Sequence, residues 1–166
     1  MRETRWPAAR ARAGILIDRP RLQARALDGF GQTLISGDLD AAVAALAPGA
    51  PTLGLYALAP EGAHALRIGR TSALLVTPTA IAAPEGWRGG WCATGVDDGW
   101  AAVEVFGADA PHALMQATSA DLAAGSPSAA VVVFGLRALL ARAHAGFRLH
   151  IEAPWLETLL AWLDGV

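Results

Sequence analysis

Four histidines, one cysteine and an adjacent pair of aspartates are the residues in this 166-residue chain whose types invite a chemical reading. His64, His112, His144 and His150 stand alone, without H-x-x-x-H, C-x-x-C or H-E-x-x-H spacing, so the sequence predicts no zinc site. His64 and His144 fall in turn-like stretches. The alternation of GFRLHIE sets His150 opposite Phe147, Leu149 and Ile151, on the face expected to meet solvent. Cys92 would need a neighbouring base or a helix N-terminus to become a nucleophile, and no helix signal starts there. As the single cysteine it forms no intrachain disulfide, which fits a cytoplasmic setting. Asp97 and Asp98 are neighbours that point in different directions, an arrangement suited to a turn rather than to a paired acid and base.

Two glycine–aspartate turns resemble phosphate loops only at first sight. TLISGDLDAAVAAL (Thr33 to Leu46) and VEVFGADAPHAL (Val103 to Leu114) lack both G-x-G-x-x-G and G-x-x-x-x-G-K-[ST]. An acidic residue at the helix start would also repel phosphate. Gly37 and Gly107 are therefore expected to turn the chain, Asp38 and Asp109 to cap the helices that follow, and Pro111 to sit in a first helical turn. Trp87, Trp91 and Trp100 fall close together in the sequence, as interface anchors or as an apolar plug between two halves. No catalytic, cofactor-binding or metal-binding residue is assigned to the chain.

The elements that would position these residues come in two similar sets. FGQTLIS (Phe30 to Ser36) reads as a strand, followed by a helix with Leu39, Ala42, Val43 and Leu46 on one face, stopped by Pro48 and Gly49. TLGLYAL (Thr52 to Leu58), ALRIG (Ala65 to Gly69) and SALLV (Ser72 to Val76) are short strands. Residues 84–99, rich in glycine, read as a loop. The order then repeats. WAAVEVF (Trp100 to Phe106) is a strand, and the next helix buries Ala110, Ala113, Leu114 and Ala117. AAVVVF (Ala129 to Phe134) reads as a central strand buried on both faces, and a hairpin turns at His144 to Gly146. A closing helix from Pro154 carries Leu156, Leu159, Leu160 and Leu163. Recurrence of strand, glycine turn, capped helix, strand and hairpin marks an internal duplication. Hairpins mixed with helices predict an α+β fold: two β-α-β-β-type halves, at about 26–83 and 91–166, forming a mainly antiparallel sheet layer with helices packed on it.

Composition narrows the class. Hydrophobic residues make up 54% of the chain and charged ones 17%, sparse charge for a domain that meets water on every side. With six tryptophans, this suits a surface partly hidden against other subunits; alanine richness with arginine as the only cation also suits a GC-rich genome. The longest uncharged run, Ala41 to Pro60, holds Pro48, Pro51, Pro60, Gly49 and Gly54, so no membrane-spanning helix is expected. Residues 1–25 carry seven arginines against Glu3 and Asp18, a balance of +5 that leaves −7 for residues 26–166. They read as a basic arm docked on a partner or left disordered. Only Trp6 lies among the arginines, which argues against nucleic-acid binding, and no secretory apolar stretch is present.

One resemblance adds to this. ATGVDDGWAAVEVFGADAPHALMQATSADL (Ala93 to Leu122) resembles the strand, G-x-D-A, helix, D-L signature of the aminomethyltransferase (glycine-cleavage T protein) superfamily. RAHAGFRLHIEAPWLETLLAWL (Arg142 to Leu163) looks like the C-terminus of the gamma subunit of heterotetrameric sarcosine oxidase, and LRIGRTSALLV (Leu66 to Val76) is similar to that family's first-half hairpin. The resemblance implies a ferredoxin-like, T-protein-like fold. It also implies a non-catalytic accessory subunit, in a complex that oxidatively demethylates an N-methyl amino acid. FAD, FMN, NAD and tetrahydrofolate would then lie on the larger alpha and beta subunits and the small delta subunit would complete the heterotetramer. Two motifs depart from the pattern. Arg70, Thr71 and Ser72 stand where the gamma family often has a Pro-acidic-acidic-Trp turn. AHAGF (Ala143 to Phe147) replaces the Tyr-Thr-Gly-Glu-x-Gly motif of folate-binding transferases, without its carboxylate. The alternative reading is a stand-alone folate-binding, aminomethyltransferase-like protein of one-carbon metabolism.

Overall fold

A computed structural model describes residues 14–166. In chain order the elements are β1 (Gly14–Asp18), β2 (Gln23–Leu27), β3 (Gly31–Gly37), α1 (Leu39–Leu46), β4 (Thr52–Leu53), β5 (His64–Arg67), β6 (Ser72–Thr77), β7 (Trp91–Gly95), β8 (Trp100–Phe106), α2 (Ala110–Ala117), β9 (Ala130–Val133), β10 (Leu136–Ala143), β11 (Gly146–Glu152) and α3 (Leu156–Asp164). A 3₁₀ turn, Ala153–Trp155, leads into α3. The strands form a five-stranded sheet, β4-β5-β6-β3-β7, and a six-stranded sheet, β1-β2-β8-β11-β10-β9. Every pairing between them is antiparallel except β4 with β5. The α+β class and the mainly antiparallel sheets follow the sequence pattern.

Strand alternation sorts the buried side chains into three apolar layers. On β6, Ala73 and Leu75 face α1 and pack with Leu39, Ala42 and Val43. Leu74 and Val76 face the other way and meet Leu139 and Ala141 of β10. On the far side of the six-stranded sheet, Val103, Val105, Leu140, Leu149 and Ile151 pack under Leu114 of α2 and Leu159 and Leu163 of α3. The order is helix, sheet, sheet, helices, with one apolar layer between the sheets and one beneath each helical layer. No helix among the described residues is long and apolar enough to cross a membrane.

The duplication is interlocked. β2 precedes β3 in the chain but pairs with β8, while β7 precedes β8 but pairs with β3. Each half thus lends its first strand to the other half's sheet. The two glycine turns sit where those exchanged strands enter. The Asp38 N–H donates to the Gly90 carbonyl at 3.0 Å, and the Asp109 N–H donates to the Arg21 carbonyl at 2.9 Å. Gly37 and Gly107 hold φ at +104° and +108°, and a Cβ at either would lie 2.2 Å and 2.4 Å from those same carbonyl oxygens. Glycine is required twice over, by backbone conformation and by contact.

Several expectations are corrected. From Gly14 onward the basic arm is the β1–β2 hairpin, with Leu22, Ala24 and Ala26 buried beneath the arginines; residues 1–13 lie outside the described residues. The loop expected over 84–99 contains β7, an edge strand that the glycines around it conceal. TLGLYAL is a strand only at Thr52–Leu53, after which Tyr56 takes a positive φ of 61° and the chain turns. AAVVVF is not central. It becomes the edge strand β9, with Val132 58% exposed, because Phe134 and Gly135 turn the chain straight back into β10 and no strand of the described residues lies beyond. Asp38 caps α1 through its carboxylate, which accepts from the Ala41 N–H at 3.1 Å. Asp109 makes no such cap, and its carboxylate takes a two-pronged bond from Arg21, at 2.9 and 2.7 Å. That guanidinium holds the Asp109 carboxyl below the usual carboxylate range.

Substituting Gly37→Ala or Gly107→Ala tests the crossing. Each is expected to cost at least about 2 kcal/mol, since a positive φ and a backbone clash are imposed together. Gly49→Ala, at a positive φ with open space around it, is expected to cost less. Urea unfolding midpoints of the three variants give the ranking.

Candidate functional site

The apolar layer between the sheets turns polar at one end. On β11, Phe147, Leu149 and Ile151 point toward the helices, so Arg148 and His150 point toward the other sheet. On β5, Ala65 faces α1, so His64 faces the same inter-sheet space. Gln32 enters it from β3. The side chains expected on solvent therefore lie inside: His150 is 0% exposed and His64 1%.

Hydrogen bonds fix the protonation pattern of both rings. The Gln32 amide donates to the Trp100 carbonyl at 2.9 Å, leaving its oxygen to accept from His150 Nδ1 at 2.8 Å. His64 Nδ1 lies 2.9 Å from the Gly62 carbonyl, which can only accept. Both rings carry their proton on Nδ1, so each Nε2 keeps a lone pair. Neither Nε2 has a hydrogen-bond partner, and neither does the buried Arg148 Nε–H. Burial pushes the His150 pKa down to about 3, and a protonated His64 and the Arg148 guanidinium would act in the same direction. Burial lowers His64 as well, against the bond to Gly62. Both imidazoles are neutral at pH 7.

A cavity of about 210 Å³ adjoins this cluster, lined by Leu27, Phe30, Val76 and Pro78 as well as His64, Arg148 and His150, with Asp28 and Glu61 exposed at its rim. A second cavity of about 350 Å³ lies beyond Phe30 and Gln32, bounded by Asp97 and Asp98. Asp97 accepts a 2.5 Å bond from the Gln32 N–H, which ties the turn before β8 to β3. Asp97 is thus engaged in cross-strand bonding, and Asp98 follows it in the turn.

The other sequence candidates disperse. His112 bonds Gln116 on the outer face of α2 at 2.9 Å, and His144 lies exposed in the β10–β11 turn. Cys92 is half-buried on β7 opposite Ser36, with no base bonded to it. Trp87 and Trp91 both lie against Gly37, Trp91 in the core under α1 and Trp87 67% exposed, while Trp100 stands apart and borders the inter-sheet layer. Among the described residues no three of His, Cys, Asp and Glu come together as metal ligands. The polar cluster was missed because a single strand reveals which residues share a face, not whether a second sheet covers it.

Acid titration tests the burial of His150. Its pKa falls from 6.5 unfolded to about 3 folded, so the unfolded chain binds the extra proton between those values. The stability present above pH 6.5 is lost as pH falls toward 3. Each unit of depression is worth about 1.4 kcal/mol, so several kcal/mol are at stake. Urea midpoints of the wild type are expected to fall between pH 6.5 and 4, and His150→Val is expected to flatten that slope.

No family model matches this chain, and no curated protein matches it. Among solved structures, the heterotetrameric sarcosine oxidase from Corynebacterium sp. U-96, in complex with pyrrole 2-carboxylate, superposes with a TM-score of 0.70 at 16% identity. The match covers 90% of this chain and 85% of that one. The likeness is one of fold.

Proposed function

We propose that this chain is a non-catalytic accessory subunit, of the gamma type, in a multisubunit flavin-dependent complex that oxidatively demethylates an N-methyl amino acid. The observation that carries this reading is the extent of the fold match. Nearly all of this chain overlays nearly all of one chain of a heterotetrameric sarcosine oxidase, as expected of a whole subunit rather than a shared motif. Flavin chemistry would belong to the partner subunits.

The outer helical layer supplies a surface suited to assembly. Met115 of α2, Trp155 before α3 and Trp162 of α3 are 62%, 48% and 55% exposed. Trp162 stacks on Phe134 at 5.7 Å between ring centroids and 16° between planes. Phe134 holds a φ of +49° in the tight β9–β10 turn, a conformation an L side chain adopts at a cost of about 1–2 kcal/mol. Aromatic stacking of about 0.5–1.5 kcal/mol offsets much of that. The result is a rigid, part-exposed aromatic pair of the kind that anchors interfaces.

Co-expression with the neighbouring reading frames, followed by size-exclusion chromatography, tests the assignment. The chain is expected to co-elute with a yellow flavoprotein. Trp155→Ala with Trp162→Ala is expected to weaken that association at least about tenfold while leaving the circular dichroism of the free chain unchanged. A chain that elutes alone, apart from any flavoprotein, contradicts the assignment.

A further inference from the structure

The duplication provides an internal comparison for the polar cluster. Aligning the strand pairs on Gly37 and Gly107 makes Ser36 equivalent to Phe106, and hence Gln32 equivalent to Ala102. Through the registers of β3 with β6 and β8 with β11, Leu74 is then equivalent to Arg148 and Val76 to His150. Through β5 with β6 and β10 with β11, His64 is equivalent to Leu139. At each of these positions one copy is polar and the other apolar: Arg148 and His150 of the second half match Leu74 and Val76 of the first, and His64 of the first half matches Leu139 of the second. The fold does not require polar groups there. Each buried nitrogen left without a partner costs about 1–3 kcal/mol.

Charge in the adjoining cavity is divided. With both imidazoles neutral, Arg148 is the cation of its wall. The carboxylate nearest along the ladder, Glu104, sits opposite both Arg25 and Arg148 in strand register, and it bonds Arg25. Arg148 forms no ion pair among the described residues, and neither do Asp28 and Glu61 at the rim. Phe30, Val76 and Pro78 add apolar surface to the same lining.

We propose that the cavity between the sheets binds a small zwitterionic amino acid, its carboxylate on the Arg148 guanidinium and its ammonium group toward Asp28 and Glu61. A guanidinium presents N–H donors in a plane that matches a carboxylate, and a rim carboxylate pairs with an ammonium group. A plain anion would satisfy Arg148 and meet repulsion at the rim; a plain amine would do the reverse. The site faces away from the helical layer, so it stands whether or not the chain assembles with a flavoprotein.

The test titrates the full chain, labelled with ¹⁵N, with glycine, L-alanine and L-proline, and separately with acetate and methylamine. Saturable shifts of the Arg148 Nε–H and of the His64 and His150 ring nitrogens are expected with at least one amino acid. Acetate and methylamine are each expected to bind at least about tenfold more weakly, a difference of about 1.4 kcal/mol. Arg148→Leu, which installs the side chain found at the equivalent position of the other half, is expected to keep the fold and abolish the shifts. The proposal is overturned if no amino acid saturates these signals, if acetate binds as tightly as the best amino acid, or if Arg148→Leu binds undiminished. The wild-type titrations decide the matter even if that variant does not fold.

Discussion

Two backbone hydrogen bonds, from Asp38 to Gly90 and from Asp109 to Arg21, mark the places where each half of the molecule receives a strand from the other. The remainder of the architecture depends on that exchange. Without β7, β3 would be the edge of its sheet, and without β1 and β2, β8 would be the edge of the other. Both are long strands with buried faces, so an unpaired edge would leave a row of buried backbone donors and acceptors unsatisfied. The exchange places β3 between β6 and β7, and β8 between β2 and β11, so both become interior strands. Because each sheet needs chain from both halves, neither half is a separable folding unit.

Features governed by local sterics were legible in the sequence. Gly37, Gly107, the Asp38 cap, Pro111 in the first turn of α2 and the buried stripes of α1 and α2 require only nearest neighbours to decide them. Features decided by distant partners were not. Asp109 has the sequence context of a cap, yet an arginine 88 residues away claims its carboxylate. In the first 25 residues the charge obscured a strand signal that was present. RLQARAL alternates, and its Leu22, Ala24 and Ala26 are the buried set. Ala129 to Phe134 misled in the opposite sense, since an apolar composition cannot distinguish a central strand from an edge that leaves one valine in solvent.

The histidines show the same limit. The alternation along β11 correctly divides Phe147, Leu149 and Ile151 from Arg148 and His150. A polar face normally means water because most antiparallel sheets have one wet side. Here the five-stranded sheet covers that side, and the polar residues become the lining of a cavity. Aligning the duplicated halves sets three polar residues where the other copy has leucine or valine, but that alignment needs the strand registers, because the offset between equivalent residues grows from 70 at Gly37 and Gly107 to 74 at Leu74 and Arg148.

The two surfaces of interest lie on opposite faces of the six-stranded sheet. Trp155, Trp162 and Met115 belong to the helical layer, whereas Arg148 and His150 project from the reverse side of the same strands. A partner docked on the helices would therefore leave the cavity's rim, at Asp28 and Glu61, uncovered. β11 contributes to both layers, with Leu149 and Ile151 beneath the helices and Arg148 and His150 between the sheets, and β10 does the same with Leu140 and Leu139. Interior packing is dense enough that a shift of either strand cannot be confined to one face. The binding proposed for the cavity and the packing under the helices would share the backbone of these strands, although no side chain belongs to both.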